Sequence, residues 1–250
     1  MSGSSLRADG PPRQEWVEPV TGMRFVHVPS GTFTMGSPPG EPGREDQERQ
    51  HEVTIERGFW LGRFEVTQRQ WSTVMDRNPS RFRDADGNLP VEDVNVLEVE
   101  EFLRRLNTAS ADDTLRLPTE AEWEYACRAG TTTAYATGAR LTREQANFTT
   151  DPRTPPPERG RTMPVGTFPP NPWGLYDLHG NVWEWTADDH CPYPEHRRMD
   201  AGLACGSALK VIRGGSWYFA ADSARCALRY THRPQDRGFS LGFRVVREEE

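Results

Sequence analysis

Apolar residues recur along this chain with two periods. Met23-Arg24-Phe25-Val26-His27-Val28 alternates, and Pro29-Ser30-Gly31 turns it into Thr32-Phe33-Thr34-Met35-Gly36, a predicted hairpin. His51-Glu52-Val53-Thr54-Ile55 and the run from Phe59 to Val66 read as two more strands. The period then lengthens. Thr67 is a helix N-cap whose capping box is completed by Gln70, and the helix runs to about Met75. Val99, Phe102, Leu103 and Leu106 share one face of a helix over 97–107. Thr119 and Glu122 form a second capping box before a helix over 121–128, which Gly130 stops. After that the pattern fades. Residues 131–172 and 186–210 read as long loops, the stretch 149–161 as irregular. Order returns at Val211-Ile212-Arg213, before the Gly214-Gly215 turn, and at Gly242-Phe243-Arg244-Val245-Val246. Between those runs, aromatic, charged and small residues follow neither period, as in a functional loop carried on a rigid sheet. Short helices, short strands and long loops predict an α+β fold, with loops held by ions or disulfides rather than regular pairing.

Composition narrows the classes. At 250 residues the chain suits one large domain or two small ones; with no internal repeat or linker, one domain over 23–250 follows a disordered lead-in over 1–22. Hydrophobic residues make up 35% and mean hydropathy is -0.78, and no apolar run approaches a membrane span. A net charge of -7 argues against a nucleic-acid partner. Many arginines fall in the last forty or so residues, so the C-terminal region reads as locally basic. Residues 1–22 contain no apolar h-region; the compartment stays open, with the cytoplasm slightly favoured. The 4 cysteines fit no zinc spacing, and no nucleophile elbow or phosphate loop is present.

Six stretches taken together resemble one family. They are Gly31–Gly36, Glu65-Val66-Thr67-Gln68, Leu117-Pro118-Thr119-Glu120-Ala121-Glu122-Trp123-Glu124-Tyr125-Ala126, the run from Asn171 to Trp185, Arg213-Gly214-Gly215-Ser216-Trp217 and Gly242-Phe243-Arg244. In this order they look like the formylglycine-generating enzyme, or sulfatase-modifying factor, family, across roughly residues 23–247. The resemblance implies a variant C-type-lectin-like fold. The family includes a copper oxidase that makes formylglycine, C-terminal domains of iron-dependent sulfoxide synthases, a pyoverdine-maturation enzyme and variable ligand-binding proteins of bacterial diversity-generating retroelements. Fold alone therefore leaves function open.

The resemblance also assigns residues. Asp177, Gly180, Val182 and Glu184 match a calcium site, two carboxylates flanking a turn that offers carbonyls, with Asp177 where the oxidase has Asn. Asn147 and Phe148 match the start of a second, weaker one. Without that analogy, Glu184 reads as a hydrogen-bond acceptor in a Trp-rich core. The two copper thiolates of the oxidase fall on Phe219 and Ala224, neither of which can bind copper, so copper and formylglycine-generating activity are not expected. Cys127 and Cys226 match a structural disulfide, bonded in an oxidising compartment, although a reactive Cys226 is an alternative. Cys191 and Cys205 lie in one loop and can pair. His51 and His179 read as structural, and His190 with His196 as a weak metal candidate.

The loop between the last two apolar runs offers Trp217, Tyr218, Phe219, Asp222, Tyr230, His232, Arg233, Asp236, Arg237 and Phe239 as a binding face, with Trp217 and Phe243 expected in the core. The resulting expectation is a calcium-stabilised pseudoenzyme scaffold that binds a protein or peptide and does not insert into membranes. The alternatives are an oxidoreductase of the same family and an auxiliary domain of a larger bacterial assembly.

Overall fold

A computed structural model describes residues 14–111, 114–150, 160–193, 197–198 and 203–249. In chain order the elements are β1 (Glu15–Val17), β2 (Arg24–Val28), β3 (Gly31–Met35), β4 (His51–Ile55), β5 (Phe59–Gly62), α1 (Gln68–Met75) and α2 (Val96–Ser110). They continue with β6 (Leu115–Arg116), α3 (Glu120–Arg128), β7 (Trp183–Asp189), β8 (Arg197–Arg198), β9 (Lys210–Arg213), β10 (Tyr230–His232), β11 (Leu241–Gly242) and β12 (Val246–Glu248). Three curled sheets result, ordered β1-β2-β5-β12-β6, β10-β9-β7-β11 and β3-β4-β8. β12 closes the first by pairing antiparallel with both β5 and β6, which brings β12 into one sheet with β1 and β2.

Each helix starts on a capping box. Thr67 and Thr119 accept from the backbone of Gln70 and Glu122, and those side chains return the bond. A third box, Asn95 with Glu98, opens α2 ahead of the predicted start. Trp71 of α1 stacks on Phe102 of α2 at 5.2 Å, and Phe243 meets both edge-on. These three rings are completely buried and bind both helices to the C-terminal strands. Each contributes about 2 to 3 kcal/mol of apolar burial.

The order begins earlier than residue 23. Glu15–Val17 pairs with β2, and Trp16 lies 5.0 Å from the Phe25 ring, so the boundary moves into the segment read as lead-in. Alternation did not mark Glu15–Val17, because three residues are too few to show a period. β7 likewise extends to Asp189, into the stretch read as loop.

Four of the C-terminal arginines are core residues and not part of a basic surface. Arg213, Arg225, Arg229 and Arg244 are buried, each facing glutamate. Arg213 pairs with Glu124, Arg229 bidentately with Glu120, Arg225 with Glu48 and Glu41, and Arg244 with Glu184. α3 is buried at every position, and its three glutamates each meet an arginine, Glu122 through Arg116. Desolvating these charges costs several kcal/mol per ion, which the bidentate geometry offsets. Counting charge along the sequence could not reveal this, because the partners are supplied from distant segments.

Both disulfides form. Cys127–Cys226 ties α3 to the C-terminal loop, and Cys191–Cys205 closes the loop after β7.

Candidate functional site

The binding-face residues rise from a rigid base. Gly214 and Gly215 adopt φ of 97° and 73°, a left-handed turn that a side chain would strain. At Gly215 an added Cβ would sit 2.9 Å from the Ala224 backbone, so the chain is folded tightly back on itself here. From this turn the aromatic residues form a continuous ladder. Trp217 meets Phe82 at 5.4 Å, Tyr218 at 5.3 Å and Phe239 at 5.6 Å. Tyr218 meets Phe219 at 5.9 Å; Phe219 and Tyr230 both pack on Trp183 of β7; Tyr230 continues to His232. The ladder is half open: Tyr218 is 36% and Tyr230 45% exposed, among the few large hydrophobic side chains so exposed, while Trp217 is 5%. Trp217 is the core anchor, as its sequence context suggested, and the tyrosines are the open part.

Not every candidate joins the ladder. Asp222 lies against Gly43 and beside Arg225, away from the rings. Arg237 spends its guanidinium on Glu98 and the Asp93 carbonyl, so it braces the loop. Asp236 accepts from the Arg233 backbone and sits 3.5 Å from His232. Arg233 is exposed at the far end of the ladder. Phe82, in the 78–92 loop, was missed in the sequence because nothing local distinguishes it from a core ring. Its backbone N–H donates to Glu92 and its carbonyl accepts from Gln68 at the start of α1, so two buried side chains hold it against Trp217. Glu92 is fully buried, and burial pushes its carboxyl up to about 7.

The predicted calcium positions bracket a buried acidic cluster. Glu65, Asp177 and Glu184 are all buried, with Arg244 as the cation among them. Glu184 accepts from Arg244 Nε and Nη2, both at 2.6 Å, and from Trp123 Nε1 at 2.7 Å. It therefore serves as the core acceptor that its tryptophan-rich context suggested. Asp177 Oδ2 accepts from the Gly166 N–H, and Glu65 accepts from Val182 N–H and Asn181 Nδ2. Burial and mutual repulsion raise both carboxyls, Asp177 to about 6 and Glu65 well above its ordinary range. Gly180 packs so closely on the Asn147 carbonyl that a Cβ would approach to 2.2 Å. Beside it, Asn147 Oδ1 and Thr162 Oγ1 are buried without a hydrogen-bond partner. An excess of buried negative charge and orphaned hard oxygens suits Ca²⁺, which takes six to eight oxygen ligands. Glu184 spends its carboxylate on Arg244 and Trp123, so Asp177, Glu65 and Asn147 Oδ1 are the side-chain oxygens here that an ion could use.

The positions matching the copper ligands hold only carbon. Phe219 is a rung of the ladder, and Ala224 is buried beside Tyr135. All four cysteines are disulfide-bonded. His179 lies 4.0 Å from Cys127 Sγ, but it is fully satisfied: Nδ1 donates to the Ala224 carbonyl and Nε2 accepts from Ala136 N–H. Burial lowers it to about 4, keeping it neutral. His51 packs against Tyr193 with the rings tilted at 46°. His190 bonds Gln47, and its proposed partner His196 lies outside the described residues.

The sulfatase-modifying factor enzyme 1-like domain matches residues 13–249, nearly the whole chain. The chain belongs to the sulfatase-modifying factor family. Within this family it is 40% identical over 153 residues to the formylglycine-generating enzyme of Mycobacterium tuberculosis, covering 52% of this chain and 50% of that protein. PvdO from Pseudomonas aeruginosa superposes with a TM-score of 0.82 at 28% identity, covering 96% of this chain and 100% of PvdO. Treponema denticola variable protein 1 superposes at 0.80 with 24% identity, again covering 96% and 100%, a likeness of fold. The chain spans half or less of the length of the first curated relatives it matches. Its architecture is the variant C-type-lectin-like fold of the sulfatase-modifying factor family, with few short helices and curled sheets.

Proposed function

We propose that this family member is a calcium-stabilised binding scaffold that takes a protein or peptide partner on its aromatic ladder. The observation that carries the reading is the ladder itself. Buried Trp217 and Trp183 support two half-exposed tyrosines and Phe219, which stands at a position where the oxidases it resembles place a copper thiolate. Aromatic side chains on a rigid base dominate binding energy because they bring large area at small entropic cost. The same substitution removes the soft ligand that Cu(I) selects, and the cysteines that remain are tied up in disulfides. Asp177 with the Gly180 and Val182 carbonyls would hold the calcium at the expected site, with Glu65 in place of Glu184, which Arg244 and Trp123 occupy; Asn147 belongs to the second, weaker site.

The test is selection from a random peptide display library on the immobilised protein. The expected result is an enriched pool that loses about tenfold or more in affinity for the Tyr218→Ala/Tyr230→Ala variant. No enrichment, or a pool that binds this variant equally well, overturns the reading. In parallel, a peptide carrying a sulfatase cysteine is incubated with Cu(I) and oxygen. Its mass is expected to stay unchanged beside an active oxidase, and aldehyde formation would replace the scaffold reading with a catalytic one.

A further inference from the structure

We infer that the partner segment is acidic, with carboxylates placed beside an aromatic or apolar anchor; this rests on the binding reading above and deepens it. The ladder ends at Phe82, where two arginines lie over the ring and a third, Arg83, belongs to the same loop. Arg81 lies over the Phe82 ring at 5.8 Å and over Phe239 at 5.2 Å. Arg161 reaches the same Phe82 ring at 5.5 Å from a different segment and donates to the Arg83 carbonyl. Arg83 folds back on the Ser80 and Asn78 carbonyls. All three are exposed, and none forms an ion pair among the described residues.

Many arginines elsewhere in this protein pair with glutamate, buried or at the surface. On a chain of net charge -7, a cluster of three unpaired guanidiniums stands apart from that habit. Of the acids around it, Glu92 feels the Arg81 charge, but burial raises its carboxyl to about 7, which weakens any offset. Glu92 lies beneath Phe82, buried and bonded to the loop backbone, and Asp93 faces away towards the Arg237 brace through its carbonyl. Asp84 and Asp86 belong to the same loop, yet neither comes within ion-pair distance of these arginines among the described residues. Arg81 and Arg161 lie over aromatic rings, Arg83 is held by two backbone carbonyls and Arg161 gives one donor to the Arg83 carbonyl, which leaves their remaining N–H donors free. Those donors are thus preorganised for planar anions, and carboxylate is the anion a peptide supplies. A segment crossing the ladder would set its apolar side chain against Tyr218 and Phe239, and its carboxylates against Arg81 and Arg161.

The peptide pool selected above is sequenced, and its members are measured by fluorescence anisotropy at low and high salt. The expected pool is enriched in Asp and Glu next to Trp, Tyr or Phe. Affinity should fall about tenfold in the Arg81→Glu/Arg83→Glu/Arg161→Glu variant. Raising salt from about 0.1 M to about 1 M should weaken binding to the native protein but not to this variant, since the screening length shrinks from about 10 Å to about 3 Å. The Arg81→Gln/Arg161→Gln variant, which removes charge without reversing it, should show an intermediate loss at an unchanged melting temperature. A pool without acidic enrichment that still needs Tyr218 and Tyr230 would overturn the acidic-partner inference and leave the binding reading intact. A pool that needs neither tyrosine would overturn both.

Discussion

Arg244 is the only cation that the acidic cluster of Glu65, Asp177 and Glu184 faces at close range among the described residues, and that makes its removal informative. Arg244→Met keeps most of the apolar stem and deletes the charge. Glu184 loses a bidentate partner at 2.6 Å, and the carbonyls of Gly62 and Tyr176 lose the donors that reach them at 3.0 Å. Breaking a buried pair from one side costs about 3–5 kcal/mol. In a chain of this size each kcal/mol moves the melting temperature by about 2–4 °C, so a drop of about 6–20 °C is expected. Glu184→Gln should cost less. It keeps an acceptor for Trp123 Nε1, and it leaves Arg244 facing two other carboxylates. The double variant should cost less than the sum of the two single ones, because the pair acts as a unit. Differential scanning calorimetry in EDTA reads all three. If Glu184→Gln costs as much as Arg244→Met, or if the double variant is additive, the electrostatic account of this core is wrong.

Further outcomes follow from other parts of the molecule. Calcium at about a hundredfold over its dissociation constant should add about 2.7 kcal/mol of stability in a melt against EDTA; magnesium should add less, and Asp177→Asn should reduce the gain. A melt unmoved by calcium would remove the ion from the proposal. Glu92 has a folded pKa raised to about 7 from 4.5, so the folded state keeps a proton that the unfolded chain has lost. Stability held by that group therefore falls as pH rises through this window, and Glu92→Gln should gain on the wild type by up to about 3 kcal/mol between about pH 5 and about pH 8. A gap between the two melts that is constant with pH would refute it. Cys127→Ala/Cys226→Ala removes a cross-link between residues 99 apart and should cost about 2–5 kcal/mol, read as a lowered urea midpoint.

Much of the scaffold was legible because it is written in local chemistry. The Thr67 and Thr119 boxes start their helices where the sequence places them, and Val99, Phe102, Leu103 and Leu106 are all buried as one face. Quoted motifs carried the family and the Cys127–Cys226 pairing, which no spacing argument could have supplied. What stayed hidden is non-local. The pairing of Arg213, Arg229 and Arg244 depends on glutamates 60 to 109 positions away, so the same residues read as solvated basic charge. Phe82 and Arg161 reach the ladder from loops without periodicity, and only their meeting in space marks them as part of the face. Asp222 and Arg237 show the reverse: residue type and neighbourhood in sequence suggested the face, but each turns to another partner.

The bond between Cys127 and Cys226 encloses almost the whole second half of the chain in one covalent ring. A protease that nicks any peptide bond inside that ring opens the polypeptide without releasing a fragment. The two pieces would migrate together until a reductant is added. A cut between residues 191 and 205 would meet a second tether, so one reduction event would still leave the halves joined. Long, irregular surface segments can therefore be cleaved, lengthened or replaced within the ring while the ends that carry the packed core stay within reach of each other.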